Sequence, residues 1–328
     1  MKTSISTLLL VSSDKIFAST IDGIIYCYNL DGKLLWDYDT KETIFSKPVR
    51  DKDVLVVATI ENDLMTINVN NEELIQVIGI GEPLTSQLIK FGIQYNGNKT
   101  TAIIIGTSMG NMFCYDLYSF EEIWENNSAS LMIEDRPLFL NGKLIFGSWD
   151  NYLYCIDAAT GTLIWKWTEN KNFYYSPAAC WPDTDDKNIY ISTPDKFVSA
   201  IDVLQGKTIW RKKDFNSWES IGISNDKNKL FVKSMLDKFY IVSAKNGKAI
   251  KEIDMKFGED TMPCEPIEWN GKIIFGGKNG IVYLIKNDYS WEPLFFTGTA
   301  RVHSIQHIRN NLFAASNMDG KIFIFTIN

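Results

Sequence analysis

The chain has 328 residues, of which 45% are hydrophobic, 22% are charged and 13% are aromatic, and its formal net charge is −7. This composition is that of a globular protein, and the acidic balance excludes a protein whose main task is to bind nucleic acid or anionic lipid, since both tasks require a basic face. No window holds about eighteen consecutive apolar residues, so insertion into a membrane is not expected.

The N-terminal segment and the cysteines indicate the cellular compartment in which the protein is expected. The apolar run 8–11 is too short for the hydrophobic region of a signal peptide, and we interpret it as a strand. Five isolated cysteines, an odd number without a CxxC pair, argue against a disulfide framework or a zinc site: Cys27, Cys114, Cys155, Cys180 and Cys264. Together these features favour a cytoplasmic protein with reduced thiols, and the alternative is an exported protein whose leader has been removed.

One β-rich unit recurs eight times along the chain. Its copies begin at Ile16, Val54, Ala102, Leu144, Ile189, Leu230, Ile273 and Leu312. Each copy begins with a run of residues that favour β-strands, followed by a turn rich in Gly, Asn or Asp. A second run then alternates apolar and polar residues, and after a second turn the copy closes with a short strand that often ends in Trp. A further strand precedes each copy, as in "FSKPVR" at 45–50. Alternation of period two with frequent turns predicts antiparallel strands rather than helices.

Four antiparallel strands in a repeat of about 41 residues are typical of WD40-like propeller blades. The sequence therefore predicts an all-β fold, an eight-bladed β-propeller of four-stranded antiparallel blades, in one domain over residues 1–328. The approximate blade boundaries are 5–40, 44–80, 84–127, 134–170, 174–213, 217–255, 262–298 and 301–328. The last repeat lacks its outer strand, so we expect either a three-stranded last blade or weak pairing of residues 1–4 at that place.

Tryptophan recurs at the end of the fourth strand, at Trp36, Trp124, Trp165 and Trp210. Aliphatic Ile78 and Ile250 are interpreted as its substitutes in two weaker repeats. In "YLYCIDAATGTLIW" at 152–165, Asp157 and Gly161 are expected to shape the turn before the tryptophan, and Gly206 stands at the same place in the next repeat. A large apolar side chain that recurs at one position of the blade is expected to wedge neighbouring blades together rather than to catalyse.

The pattern Ala-x-Asp-x-x-x-Gly-x-x-x-Trp is met in full at Ala200, Asp202, Gly206 and Trp210. In the fourth repeat it is met except for Cys155 in place of the alanine. It resembles the tryptophan-docking motif of the pyrroloquinoline-quinone-like, or quinoprotein-type, repeat β-propeller family. The resemblance covers nearly the whole chain and implies the eight-bladed fold, whereas it specifies function poorly because one fold hosts many sites.

The same resemblance bears on cofactors. Some family members are dehydrogenases that use the quinone and calcium, are generally longer and exported, and in many cases carry a disulfide between adjacent cysteines. Others are cofactor-free bacterial scaffolds, such as the propeller lipoprotein of the outer-membrane barrel-assembly machinery. This chain has no Cys-Cys pair and no spare length, so it resembles the cofactor-free branch, which implies neither a cofactor nor a metal.

Aligning the inner strands predicts a ring of mostly polar residue pairs at an axial mouth, such as Ser46/Lys47 and Ser86/Gln87. Buried sheet positions are normally apolar, so these pairs indicate either a water-filled channel or a binding site. The candidate partner-binding residues are Lys47, Arg136, Trp149, Tyr175, Glu219, Glu265 and His303.

Catalytic motifs are sparse. His303 and His307 lie four residues apart on one predicted strand, about 13 Å along it, which is too far to chelate one metal. No serine or cysteine nucleophile motif accompanies them. We therefore predict a monomeric, non-enzymatic scaffold that binds a protein or peptide at the axial mouth and the top-face loops, without a nucleic-acid partner. The alternative is an enzyme that uses the axial cavity, either a quinone-dependent oxidoreductase or a small-molecule lyase or hydrolase.

Overall fold

The computed structural model describes residues 3–170 and 175–327. These ranges contain 31 β-strands. None of their residues forms an α-helix, so no helix in this part of the chain could cross a membrane. The chain divides into two compact units. The N-terminal unit comprises Lys2–Lys171 with Ser176–Ala179, and the C-terminal unit comprises Asn172–Tyr175 with Cys180–Asn328 and Met1.

The N-terminal unit holds four antiparallel sheets of four strands each. Sheet 1 is formed by β1 (Leu10–Val11), β2 (Lys15–Ser19), β3 (Ile24–Asn29) and β4 (Leu34–Asp39). Sheet 2 is formed by β5 (Val49–Asp51), β6 (Val54–Ala58), β7 (Asp63–Asn68) and β8 (Leu74–Gly79). Sheet 3 is formed by β9 (Ile89–Tyr95), β10 (Asn98–Gly106), β11 (Met112–Asp116) and β12 (Glu122–Asn126). Sheet 4 is formed by β13 (Leu138–Leu140), β14 (Lys143–Gly147), β15 (Leu153–Asp157) and β16 (Leu163–Trp167).

The C-terminal unit holds the other four sheets. Sheet 5 is formed by β17 (Asp183–Thr184), β18 (Asn188–Ser192), β19 (Val198–Asp202) and β20 (Thr208–Lys212). Sheet 6 is formed by β21 (Ile221–Ile223), β22 (Lys229–Lys233), β23 (Leu236–Ser243) and β24 (Ala249–Glu259). Sheet 7 is formed by β25 (Ile267–Trp269), β26 (Lys272–Gly276), β27 (Ile281–Ile285) and β28 (Trp291–Phe296). Sheet 8 is formed by β29 (Val302–Arg309), β30 (Leu312–Asn317) and β31 (Ile322–Thr326).

In every sheet, strands that follow one another along the chain are neighbours. The prediction of an all-β, eight-bladed β-propeller is confirmed. Sheet 8 has three strands within the described residues, as one of the two alternatives predicted. Ser4 and Ile5 lie against sheet 1, because Ile5 pairs with Thr20 and Ile21 N donates to Ser4 O. The other alternative involves residues 1 and 2, which lie outside the described residues.

Local turn chemistry sets the strand order. Asn-Gly pairs with positive φ join the first and second strands of sheets 3, 4 and 7, at residues 96–97, 141–142 and 270–271. Positive φ at both central residues matches the twist of a two-residue hairpin. In the turn before β16, Asp157 Oδ1 accepts the N–H groups of Ala159 and Thr160, both at 2.9 Å, so the side chain replaces a backbone partner as predicted for this motif.

The core lies between neighbouring sheets within each unit. The second strand of a sheet is covered on both faces, so four of its residues in succession are buried, as at 55–58 in β6. The fourth strand is covered on one side, and in β8 half-buried positions alternate with exposed ones from Ile75 onward. Burial of apolar surface at about 25 cal/mol per Å² makes these faces the main source of stability.

Three of the recurring tryptophans each reach the next sheet of their own unit. The Nε1 groups of Trp36, Trp124 and Trp210 donate to backbone carbonyls that follow the third strand of that sheet, at 2.9, 3.0 and 2.9 Å. The acceptors belong to Val69, Ala158 and Ala244. Each of these indoles is less than 10% exposed, and Trp165 is half-buried.

Two sequence assignments of the docking position are wrong. In sheet 1 the docking Trp36 pairs with Cys27, the residue before a β-bulge. The docking position is thus the fourth-strand residue that pairs with the third-strand residue just before the bulge. In sheet 2 this residue is Gln76 and in sheet 6 it is Lys251, not Ile78 and Ile250. The bulge adds one residue to the outer strand and thereby shifts the register, which alternation alone does not reveal.

Candidate functional site

The predicted partner-binding residues fall in both units. The N-terminal unit contains Lys47, Arg136 and Trp149, and the C-terminal unit contains Tyr175, Glu219, Glu265 and His303.

A cavity of about 250 Å³ lies in the N-terminal unit along the inner strands. Lys47 and Arg136 both line it, so the structure brings these two predicted residues together. Arg50, Gln87 and Lys90 complete its polar wall. Its apolar wall includes Leu8, Leu10 and Leu88. We call this cavity the basic pocket, because four of its lining residues are Lys or Arg and none is Asp or Glu.

Acidic residues outside the lining orient two of the cations. Arg50 Nη1 lies 2.6 Å from Asp14 Oδ1, and Lys90 Nζ lies 2.6 Å from Asp51 Oδ1. Although burial opposes it, hydrogen bonds led by Arg50 lower the pKa of Asp14, and that carboxylate stays ionised. Two of the four cationic side chains that line the pocket are thus paired with carboxylates outside the lining.

Hydrogen bonds between inner strands fix the pocket wall. Lys47 N donates to Gln87 Oε1 at 2.6 Å, and Gln87 Nε2 donates to Phe45 O at 3.2 Å. Leu88 N donates to Ser46 Oγ at 2.8 Å. Sheets 2 and 3 are thus connected just where the pocket forms, which preorganises its cationic groups.

The serines of the predicted polar ring have a structural role. Ser86 Oγ accepts Gly106 N at 2.7 Å, and Ser176 Oγ donates to Ser148 O at 3.1 Å. Both serines are buried. Their hydroxyls satisfy backbone groups, which explains why polar residues occupy these buried positions.

Trp149 lies in the turn between β14 and β15 and is half-buried. Its Nε1 donates to Glu134 Oε2 at 2.7 Å, and its backbone N donates to Met132 O at 3.0 Å. These contacts hold the indole against its own sheet, and Trp149 does not line the basic pocket.

Sequence reasoning missed Arg50 and Lys90. Each stands four positions after an inner-strand serine, at Ser46 and Ser86, so the signal was a basic residue at one repeated blade position. Gln87 belonged to the predicted ring but was not selected.

In the C-terminal unit, the predicted mouth residues are more buried than expected. Tyr175 is fully buried, with the Arg211 guanidinium 5.7 Å from its ring centre. Glu219 is 8% exposed and accepts a hydrogen bond from Trp218 Nε1. Glu265 is half-buried. Tyr175 and Glu219 are thus both buried within this unit.

His303 is held as a neutral side chain. Both ring nitrogens are buried, and no described residue lies within hydrogen-bonding distance of either. Burial, with a lesser contribution from the charge of Arg301, lowers the pKa of His303 to about 4. His307 is separate and exposed, and its Nε2 lies 2.8 Å from Asn310 O. Across residues 3–170 and 175–327, no three His, Cys, Asp or Glu side chains are grouped to hold a metal.

We expect His303 to make the protein less stable in mild acid. Below about pH 6.5 the unfolded histidine binds a proton that the folded protein excludes until about pH 4. The free energy of unfolding should therefore fall between these values, by about 3 kcal/mol in total. Urea titrations at stepped pH measure this loss, and His303→Gln should reduce the slope whereas His307→Gln should not. Equal slopes for wild type and His303→Gln would contradict the assignment.

The five cysteines are buried free thiols. Burial raises the pKa of Cys27 and Cys155 to about 12 and that of Cys264 to about 11. A thiol with a raised pKa is protonated at neutral pH and reacts slowly.

The chain matches known proteins along most of its length. The family model described as "Outer membrane protein assembly factor BamB" matches residues 1–75 and 108–323. BamB of Burkholderia pseudomallei is 22% identical over 209 residues, which are 60% of this chain and 52% of that protein. The chain thus spans about half the length of this curated relative. The resemblance to the quinoprotein-type repeat family is confirmed.

Three solved structures show the same fold. BamB from Moraxella catarrhalis has a TM-score of 0.78 at 16% identity, covering 100% of this chain and 98% of that one. The computationally designed protein Ika8 has a TM-score of 0.80 at 13% identity, with coverages of 100% and 97%. Sqt1 of Saccharomyces cerevisiae has a TM-score of 0.79 at 12% identity, with coverages of 99% and 96%.

The prediction of a cytoplasmic protein is wrong. The family model and the curated relative are both described as outer membrane protein assembly factors, which is not a cytoplasmic role. The cysteine argument failed because all five thiols are buried, and a buried thiol does not report the redox state of its compartment.

Proposed function

Since this chain belongs to the family described as outer membrane protein assembly factor BamB, we propose that it is a non-enzymatic scaffold that binds an acidic, extended segment of a partner protein in its basic pocket. The observation that carries this proposal is the lining of the pocket, with four Lys or Arg residues and no acidic one.

The size of the pocket supports a short segment as its ligand. Its volume of about 250 Å³ is that of about eight water molecules, enough for one or two side chains but not for a folded domain. The apolar wall at Leu8, Leu10 and Leu88 would contact an aliphatic neighbour of the bound carboxylate. A segment that combines acidic and aliphatic residues therefore fits this surface.

The Lys and Arg side chains of the basic pocket would attract an acidic segment and would favour it over a neutral or basic one. A carboxylate can accept two parallel hydrogen bonds from a guanidinium such as that of Arg136. A hydrogen bond to a charged group contributes about 1.5–3 kcal/mol, less where water screens it. A segment with two carboxylates should therefore bind more tightly than a segment with one, and it should lose affinity as salt is added.

Charge reversal at the pocket tests the proposal. A fluorescein-labelled hexapeptide of sequence Asp-Leu-Glu-Asp-Leu-Glu is titrated with the full chain, and anisotropy is recorded at two salt concentrations. We expect the double variant Lys47→Glu/Arg136→Glu to bind at least tenfold more weakly, because both substitutions place like charge against the peptide. The control Lys33→Glu/Lys99→Glu makes the same charge change at exposed positions of the same unit.

The control separates a site from a general charge effect. Equal losses in both double variants would mean that the net charge of the protein governs binding, and an unchanged affinity in Lys47→Glu/Arg136→Glu would place binding elsewhere. Either result overturns the proposal. Circular dichroism of each variant checks that the fold is retained.

A further inference from the structure

The outer strand of sheet 2, β8, has an unusual exposed edge. Its sequence is Leu-Ile-Gln-Val-Ile-Gly, without a charged residue or a proline. Leu74, Ile75 and Val77 are 47%, 51% and 41% exposed. An apolar strand with one side open to solvent can pair with another extended chain.

The other fourth strands of the described sheets are protected. β4 contains Asp37 and Asp39, β12 contains Glu122 and Glu125, and β28 contains Glu292 with Pro293. β16, β20 and β24 each contain at least one lysine. β31 of sheet 8 is also uncharged, but the first four of its five residues are partly buried. Among fourth strands, β8 alone lacks the charges and prolines that keep an edge from pairing.

The sequence around β8 is acidic. From residue 53 to residue 89 the sequence has no Lys or Arg and six acidic residues, which are Asp53, Glu61, Asp63, Glu72, Glu73 and Glu82. Glu72 and Glu73 are exposed and directly precede the strand. An extended chain that carries positive charge would therefore be attracted to this edge.

We propose that the edge of β8 docks a cationic extended segment of a partner protein, which adds to sheet 2 as a fifth strand. The ladder of main-chain hydrogen bonds would supply affinity, apolar side chains would cover Ile75 and Val77, and basic side chains would lie against Glu72 and Glu73. This site goes beyond the proposed function and does not depend on it, because the basic pocket selects the opposite charge.

The pairing of β8 sets the length of the docked segment. β8 pairs with β7 from Gly79, opposite Asp63, to Leu74, opposite Ile67. A bulge shifts the register between Thr66 and Ile67, so the regular ladder covers residues 76–79. Gln76 Nε2 donates to Tyr118 O at 3.1 Å and fixes the strand against sheet 3. A segment of about five residues matches the regular part of this edge.

A designed peptide tests the edge. The probe is the labelled heptapeptide Lys-Val-Lys-Val-Thr-Val-Lys, titrated with the full chain in low salt. Ile75→Ser/Val77→Ser should weaken binding at least tenfold, and Glu72→Gln/Glu73→Gln should weaken it about threefold to tenfold. The control Leu34→Ser/Leu35→Ser changes two equally exposed residues on β4, 42% and 44% exposed, and should leave affinity unchanged. A peptide that is N-methylated at alternate residues should not bind, because it lacks the main-chain donors.

Each other result decides against the proposal. Equal losses in the β8 and β4 variants would mean non-specific apolar adsorption. Unimpaired binding of the N-methylated peptide would exclude strand addition. If sedimentation shows a dimer that Ile75→Ser/Val77→Ser dissociates, while the peptide still binds, the occupant is a second copy of this chain. The variant Lys47→Glu/Arg136→Glu should bind this peptide normally, so failure of the proposed pocket and failure of the edge are distinguishable.

Discussion

Replacing Asp260 with alanine is expected to lower the free energy of unfolding by about 3–5 kcal/mol, since it leaves a buried ammonium without its counter-ion. Lys233 and Asp260 are 1% and 3% exposed, with 3.1 Å between Lys233 Nζ and Asp260 Oδ1. Lys233 Nζ also donates to Asp260 O at 2.9 Å. The carboxylate accepts Met262 N at 3.0 Å and Lys278 N at 2.8 Å. One side chain thus connects the end of sheet 6 to a turn of sheet 7.

Removing both charges should cost less than removing one. The double variant Lys233→Met/Asp260→Asn eliminates the buried ammonium and retains an oxygen for one of the two backbone donors, so we expect it to recover at least half of the loss. Chemical denaturation measures all three proteins. The control Glu252→Gln breaks an exposed pair with Lys238 and should cause no measurable change. A small effect of Asp260→Ala, equal to that of the control, would show that this buried pair is not structural.

Replacing Gly161 with alanine is expected to cost about 2–4 kcal/mol of stability, from two sources. Gly161 has φ +70°, where side chains are strained, and an added Cβ would lie 2.7 Å from Trp124 Cε3. Trp124 is 7% exposed, so its ring has little room to move. Gly161 therefore allows the preceding sheet to dock its tryptophan, in addition to shaping its own turn.

Two comparisons separate the clash from the strain. Gly142 has φ +75° with nothing within 4 Å of an added Cβ, so Gly142→Ala should show the conformational cost alone, about 1 kcal/mol. Trp124→Ala should itself cost about 3–5 kcal/mol, and combined with Gly161→Ala it should cost less than the sum, because the clash has been removed. Additive losses in thermal and urea unfolding would contradict the packing of Gly161 on Trp124.

The eight sequence repeats and the alternation of apolar and polar residues predicted the fold, because each repeat has the same local preference for strands and turns. Asn-Gly pairs, Asp157 and the tryptophans act within one hairpin or one sheet, so their effects can be read along the chain. Misassignment of Ile78 and Ile250 shows where that reading ends. A single bulge residue moves every later side chain relative to its partner strand, and Gln76 and Lys251 occupy the docking position instead.

Charge placement was harder to predict than strand order. The sequence indicated Lys47 and Arg136 as members of one mouth, and both line the basic pocket. Trp149 remains a predicted contact residue, and its indole N–H donates to Glu134 Oε2. These differences depend on which acidic group a neighbouring loop brings near, and no local pattern encodes that distance.

By itself, the sequence determined the class of the protein, the eight β-units and the indoles that dock three of them within their own units, since side-chain periodicity and turn chemistry are local properties of the chain. The tertiary structure alone decided which inner-strand groups face a cavity and which serve backbone donors, how Arg50 and Lys90 join the basic pocket, and why His303 stays neutral. Those properties depend on burial and on distances between strands that are far apart in sequence, and they exist only once the sheets have packed.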